Sequence, residues 1–300
     1  MQITSLEHAT VGYPVTRNGV SLFPVNIHQH HPQIATGAAA GVVIEERPDA
    51  SVPTLVVRND APVPVLLVEG ETVIGGLQNR VLNVSVLVPA ATTLEIPVSC
   101  VEQGRWHGGG QFDRGTTFAS RRVRAAKVRT VAEGLRHGGA KRSDQGAVWS
   151  AVHAELHRLG VQDSTGSLTA AEAALAADRG LATATDELVA IGPLPGQCGV
   201  VVSHGSRIVA ADVFADPDTF ACHWEAIVRA HMLDAPGQVV GAPSISRAVR
   251  FLRRFALASN RVAPGVGLGR EHHVTNAKVA GQALVWDGVL VHASAFAVAA

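Results

Sequence analysis

Val63-Pro-Val-Leu-Leu-Val-Glu-Gly-Glu-Thr-Val-Ile-Gly-Gly-Leu-Gln-Asn-Arg80 sets an apolar β run beside two carboxylates, a glycine pair and an amide–guanidinium cluster. Outward from it, β-rich runs separated by turn residues predict strands at Ser21–Asn26, Val42–Glu46, Thr54–Asn59, Val63–Glu69, Arg80–Pro89 and Thr92–Val101. Strands spaced so closely predict an antiparallel β-sandwich or barrel-like N-terminal part. Gln33–Ala40, after Pro32, predicts a short helix or turn ending at Gly41.

Gly104, Gly108, Gly109, Gly110 and Gly115 lie in and beside Arg105–Thr117, which reads as a long loop. Ala119–Arg136, Asp144–Leu159 with Asp144 as N-cap, and Ser167–Ala190 read as helices. Beyond Gly192-Pro-Leu-Pro-Gly196 the pattern changes again. Gly199–Ser203 and Arg207–Phe214 form a predicted hairpin, and Asp216–Asp234 and Ser244–Ser259 are predicted helices. Strands follow near Arg270–Asn276, Gln282–Trp286 and Val289–Phe296, the last two joined across Asp287-Gly288, a strong two-residue hairpin signal. The expected fold class is α+β: a β-sandwich or barrel-like N-terminal part (1–117), a helical middle (118–191) and a mixed α/β C-terminal part (192–300), packed as one integrated unit.

With 25 basic and 25 acidic residues among 300, the chain has no net field to recruit nucleic acid or an anionic membrane surface. Hydrophobic residues make up 47% and charged ones 17%, below the roughly 25% charged of an average domain, which excludes a disordered chain. Cys100, Cys198 and Cys222 are too widely spaced for a disulfide framework or a C-x-x-C metal site. No stretch reads as a signal peptide or a membrane span, so the expected location is the cytoplasm.

Charge this scarce makes polar clusters informative. In an extended backbone Glu69 and Glu71 project to one face around Gly70, the pairing that acid–base hydrolysis or metal ligation uses, or simply two solvated carboxylates at a strand end. Gln78, Asn79 and Arg80 concentrate donors and acceptors next to them. At Pro97–Trp106, Glu102 ends an apolar strand, and Arg105-Trp106 is a pair that clamps a phosphate or stacks on a base; an Arg–Glu ion pair with an indole plug is the plainer reading. His292 sits inside the apolar strand at 289–296, as a core histidine or as a proton-transfer partner.

The basic stretch Arg121–Arg142 reads as a solvated helix face, with a phosphate-reading role for one or two of its arginines as the alternative, and the lack of interleaved aromatics argues against a nucleic-acid platform. His28-Gln-His-His31 and Glu271-His-His273 match no zinc spacing and read as surface features. G-x-G-x-x-G, Walker A and G-x-S-x-G are all absent, which argues against ordinary dehydrogenases, P-loop NTPases and α/β hydrolases. No metal site or cofactor is assigned.

Val68–Asn83, Val86–Pro89 and Ile96–Trp106 resemble the bacterial and archaeal "ARG and rhodanese-phosphatase-superfamily-associated protein domain" family. Shorter matches at Ser143–Gln145, Val148-Trp149, Asp212–Phe214, Trp224, Val291-His292 and Phe296 extend the resemblance along nearly the whole chain. The resemblance implies a family named for gene company, including ADP-ribosylglycohydrolases, with ADP-ribose- or NAD-derived nucleotides as the ligand class. The expectation is therefore a pocket that binds, and in one version hydrolyses, a phosphorylated ribose or nucleotide. There Glu69, Glu71 and Glu102 with His292 would supply catalysis, and Gln78, Asn79, Arg80, Arg105 and Trp106 would hold the ligand. Two alternatives stand beside it: a non-enzymatic binding or scaffolding protein whose motif is a structural hydrogen-bond network, and a metal-dependent hydrolase using the three glutamates.

Overall fold

A computed structural model describes residues 3–298. Six strands, Val42–Glu45, Thr54–Asn59, Glu71–Gly75, Arg80–Leu82, Thr92–Cys100 and Gln111–Phe118, close into an antiparallel barrel. Alternation along Thr54–Asn59 buries Leu55, Val57 and Asn59 and turns Arg58 outward. Leu55 and Val57 meet Ile44, Val73, Leu82, Val98 and Phe112 in one apolar cluster. Closure leaves the barrel no free strand edge, which suits strands only a few residues long. Against it lies a small sheet of Val86–Val88, Val65–Leu67 and Ala35–Thr36.

The remaining strands form a nine-stranded sheet. Val20–Asn26 leaves the N-terminal third to pair with Gly199–His204, and the order continues through Arg207–Phe214, Val289–Ala297, Val279–Trp286, Arg270–Thr275 and Arg261–Pro264. One face packs Phe23, Val25, Val201 and Ala293 against the helix Ile245–Ala256. The other buries Leu22, Val200, Phe214 and Val291 with the helical middle and the outer wall of the barrel. The protein is thus α+β, with the barrel, the helical middle and the mixed C-terminal part in contact through that second cluster.

Helix and turn chemistry matches its local signals. Asp144 accepts a hydrogen bond from the Ala147 N–H at 3.1 Å and caps Gln145–Arg158. Asp287 and Gly288 take φ of 50° and 77°, the left-handed pair a tight hairpin demands. Four expectations need correction. Val63–Glu69 shortens to Val65–Leu67, because a tight turn at Val68–Glu71 follows it, and Arg80–Pro89 splits at residues 83–85 into Arg80–Leu82 of the barrel and Val86–Val88 of the small sheet. Ser167–Ala190 is two helices, Leu168–Ala177 and Arg179–Ile191, since Asp178 caps a new helix through the Leu181 N–H. Asp216–Asp234 likewise breaks into Pro217–Ala221 and Trp224–Leu233. Within the expected loop Arg105–Thr117, Gln111–Phe118 is a barrel strand whose partners, Glu45 and Gly75 among them, lie far away in sequence.

Among the described residues no helix is long and apolar enough to cross a membrane.

Candidate functional site

The motif residues fall into three neighbourhoods, beginning with the turn at Glu69. The Glu71 N–H donates to the Val68 carbonyl at 3.1 Å, and Gly70 takes φ +87°, so Glu69 and Glu71 flank a turn instead of sharing a strand face. Their carboxylates go to different cations. Arg114 donates to Glu71 through Nε at 2.9 Å and Nη2 at 3.2 Å, and also reaches the Gly37 carbonyl at 2.7 Å.

Glu69 points into the junction between barrel, helix Arg121–Arg136 and large sheet. It accepts from Arg124 Nη2 at 2.9 Å, from Lys127 Nζ at 2.5 Å and from the Ser294 hydroxyl at 2.8 Å. Arg124 also holds Asp212, with Nη2 2.6 Å from Oδ1 and Nη1 3.1 Å from Oδ2. Glu69, Arg124, Lys127 and Asp212 are wholly buried, so the expected solvated face of the basic helix is half wrong: two of its cations lie in the core. Arg124, Lys127, Val131 and Leu135 recur at helical spacing, so both cations ride the buried stripe.

The electrostatics follow from this pairing. Burial alone would raise both carboxylates; Arg124 and Lys127 instead hold Glu69 below its ordinary pKa, and Arg124, His231 and His292 hold Asp212 well below its own. Burial pulls Lys127 down to about 8 against the opposing pull of Glu69.

His292 adjoins this network. Ser85 Oγ accepts the Glu69 N–H at 3.0 Å and lies 2.8 Å from His292 Nδ1, while His292 Nε2 is 3.7 Å from Asp212. Which of Ser85 and His292 donates in that contact is set by the imidazole tautomer. The order resembles a nucleophile–base–acid relay, yet Ser85 is only 2% exposed and cannot meet a substrate.

The third neighbourhood is one end of the barrel. Arg105 is a clasp: Nε donates to Glu102 at 2.8 Å, Nη1 to the Gly76 and His107 carbonyls, and Nη2 to the Gly75 carbonyl and Asn79 Oδ1. Glu102 also accepts the Asn79 N–H at 3.1 Å, and the Gln78 amide donates to the Glu102 carbonyl at 2.9 Å. These bonds pin the glycine-rich segment over the barrel end. Beneath it Arg80 pairs in register with Cys100 and is fully buried. It donates Nη1 to the Gln78 carbonyl at 2.8 Å, and its Nη2 stands 3.7 Å from Glu46. Arg80 Nε and Nη2, Gln78 Oε1 and Glu46 Oε2 have no hydrogen-bond partner among the described residues. The indole of Trp106, half exposed, lies 5.8 Å from the Arg80 guanidinium carbon.

The structure thus brings together Gln78, Asn79, Arg80, Glu102, Arg105 and Trp106, and places Glu69 with His292 in a second cluster and Glu71 in a third. Sequence reasoning assigned no role to Glu46, Arg114, Arg124, Lys127, Asp212 or Ser294; Arg124 and Lys127 carried a signal in their place on an apolar helical stripe, and Asp212 in its short family match. Glu271, His272 and His273, expected at the surface, are buried: Lys141 donates to Glu271 at 2.7 Å, and His273 Nε2 lies 2.8 Å from its other oxygen. Among the described residues no three His, Cys, Asp or Glu side chains group in a way that could hold a metal ion.

The sequence model of the ARG and Rhodanese-Phosphatase-superfamily-associated Protein domain matches residues 8–296. The chain belongs to that family. Its coverage takes in all three neighbourhoods, and the family's name records an association with ARG and rhodanese-phosphatase superfamily proteins. No curated protein and no solved structure matches the chain.

Proposed function

We propose that this family member binds a phosphorylated ribose or nucleotide, of the ADP-ribose or NAD-derived class, at the Gln78–Arg80 end of the barrel. The observation that carries the reading is the set of unpartnered buried atoms there. Arg80 Nε and Nη2 lie on one edge of the guanidinium, the fork that grips two phosphate oxygens. Gln78 Oε1 and Glu46 Oε2 are acceptors suited to ribose hydroxyls, and Trp106 offers a ring for stacking. Buried polar atoms are costly to leave unpaired, so a ligand supplying the missing partners gains the difference. Entry requires the glycine-rich segment held by Arg105 to lift. Hydrolysis of such a ligand draws on Glu46, the carboxylate with a free oxygen in this neighbourhood, while Glu69, Glu71 and His292 hold the framework. Association with ADP-ribosylglycohydrolase-type proteins fits the same ligand class.

A thermal-shift titration with ADP-ribose, NAD and ribose 5-phosphate tests this. At least one raises the melting temperature of the native protein, and Trp106→Ala, a change at a half-exposed side chain, removes that rise without lowering the ligand-free value. No shift with any of the three overturns it.

A second reading is favoured by Arg105, whose donors are all taken by protein groups. Here the motif is a structural network of a non-enzymatic binding or scaffolding protein. Glu46→Gln separates the two: loss of folding marks a structural role, and loss of ligand binding or turnover with an intact fold marks the ligand site. The metal-hydrolase reading gains no support, because Glu69, Glu71 and Glu102 each answer to a different cation.

A further inference from the structure

The helix Ile245–Ala256 turns Ala248, Phe251, Leu252 and Phe255 into the core and leaves Arg247, Arg250 and Arg254 exposed. Intervals of three and four residues align those arginines along one side. Facing them are Arg207, which opens the strand Arg207–Phe214, and Lys278, in the turn before Val279–Trp286. The five cations line a groove of about 630 Å³ that no carboxylate lines among the described residues. Arg247 is steadied by its bond to the Ser206 carbonyl at 2.9 Å. The side chains of Arg207, Arg250, Arg254 and Lys278 make no hydrogen bond or ion pair with another described residue. A second basin adjoins through Arg207 and adds Arg121, Arg122 and Arg129. There Asp234 holds Arg121 and Arg122 at 2.5 and 2.6 Å, and Glu133 stands 3.9 Å from Arg129. Uncompensated positive charge therefore concentrates in the first basin, in a protein whose total charge is zero.

We propose that this groove is a second binding site, separate from the barrel end, for a small ligand bearing two or more phosphate groups. Its volume lies within the range of small-ligand cavities. Five cations converging on one cavity oppose clustered charge, and four of them are guanidinium forks that match phosphate oxygens. Phe251, the one aromatic side chain of the groove, is 4% exposed and presents no ring on which a base could stack, which sets single-stranded nucleic acid aside.

Calorimetric titration of the full chain with inorganic tripolyphosphate tests the assignment. Binding is expected, weakening as salt rises. The double variant Arg250→Glu/Arg254→Glu, at two exposed positions, is expected to bind at least about tenfold more weakly with an unchanged circular dichroism spectrum and melting temperature. The double variant leaves the Arg80 fork intact, so tripolyphosphate held at the barrel end would survive the substitutions, which keeps the two sites distinguishable. The assignment is overturned if the native chain takes up no tripolyphosphate, if the double variant binds as well as the native protein, or if poly-glutamate or duplex DNA binds as tightly.

Discussion

Arg124 grips Glu69 from inside the protein: Nη2 stands 2.9 Å from the carboxylate, and neither side chain has any solvent exposure. The same guanidinium reaches Asp212, so one helix residue ties a barrel turn to the large sheet. Removing one member of a buried ion pair leaves an uncompensated charge, which costs about 3–5 kcal/mol. Arg124→Ala is expected to lose stability on that order in urea unfolding. Near-native stability would mean that the network contributes little.

Gly70 makes that grip possible. A Cβ there would sit 2.3 Å from Arg124 Nε and 2.6 Å from its Cδ, and φ of +87° is strained for any L side chain. Arg124 is fastened at both carboxylates and has no room to yield. Gly70→Ala is expected to cost more than about 2 kcal/mol, the sum of strain and a displaced guanidinium. In a double-mutant cycle with Arg124→Ala the two losses should fall well short of additive.

His223 lies between Phe118 and Phe214, with Nε2 2.8 Å from the Thr36 hydroxyl, and burial lowers its pKa from 6.5 to about 4. Between those values the unfolded chain binds a proton that the native state refuses. Its contribution to stability is therefore complete above pH 6.5 and falls as pH drops toward 4, by up to about 1.4 kcal/mol per pH unit. His223→Gln should flatten the stability–pH curve in that window, measured by denaturant titration at several pH values. An unchanged slope would remove His223 from the acid response.

Glu172 behaves in the opposite sense. It borders a cavity of about 320 Å³ with Phe118, Leu175 and Leu233, and burial raises its pKa to about 7. Between pH 4.5 and 7 the native state holds a proton that the unfolded chain has lost, so this group's contribution declines as pH rises through the window. Glu172→Gln should be more stable than the native protein at pH 8 and nearly equal at pH 4.5. Equal stability at both values would count against a carboxyl held neutral there.

Arg105 closes the barrel end by holding the Gly75 and Gly76 carbonyls and Glu102. Arg105→Ala frees these acceptors and unpins the segment around Gly108–Gly110. Amide hydrogen exchange there should speed up while the barrel strand Thr54–Asn59 keeps its protection. Uniform acceleration would show instead that Arg105 supports the whole barrel.

Elements were legible where local chemistry decides them. Asp144 announces its helix, Asp287-Gly288 its hairpin and Thr54–Asn59 its alternation, because each signal lies within a few residues of the structure it causes. Gln111–Phe118 was not legible: its glycine and charged residues break the apolar alternation, and it becomes a strand only because the barrel supplies partners. The barrel-end cluster was legible as a group since Gln78, Asn79 and Arg80 adjoin in sequence and Glu102, Arg105 and Trp106 follow on a paired strand end. Glu46 was not, because it comes from the segment after another strand, Val42–Glu45.

What the sequence by itself determined is therefore the helical stretches though not their breaks, the hairpin turn at Asp287-Gly288, the α+β class and the short list of polar residues worth watching. The local pair Glu102–Arg105 apart, tertiary structure decided which buried charges meet. Glu69 lies 55 residues from Arg124, and Arg124 lies 88 from Asp212. A charge survives burial only beside its opposite, and no local pattern along the chain states which distant opposite the fold will bring.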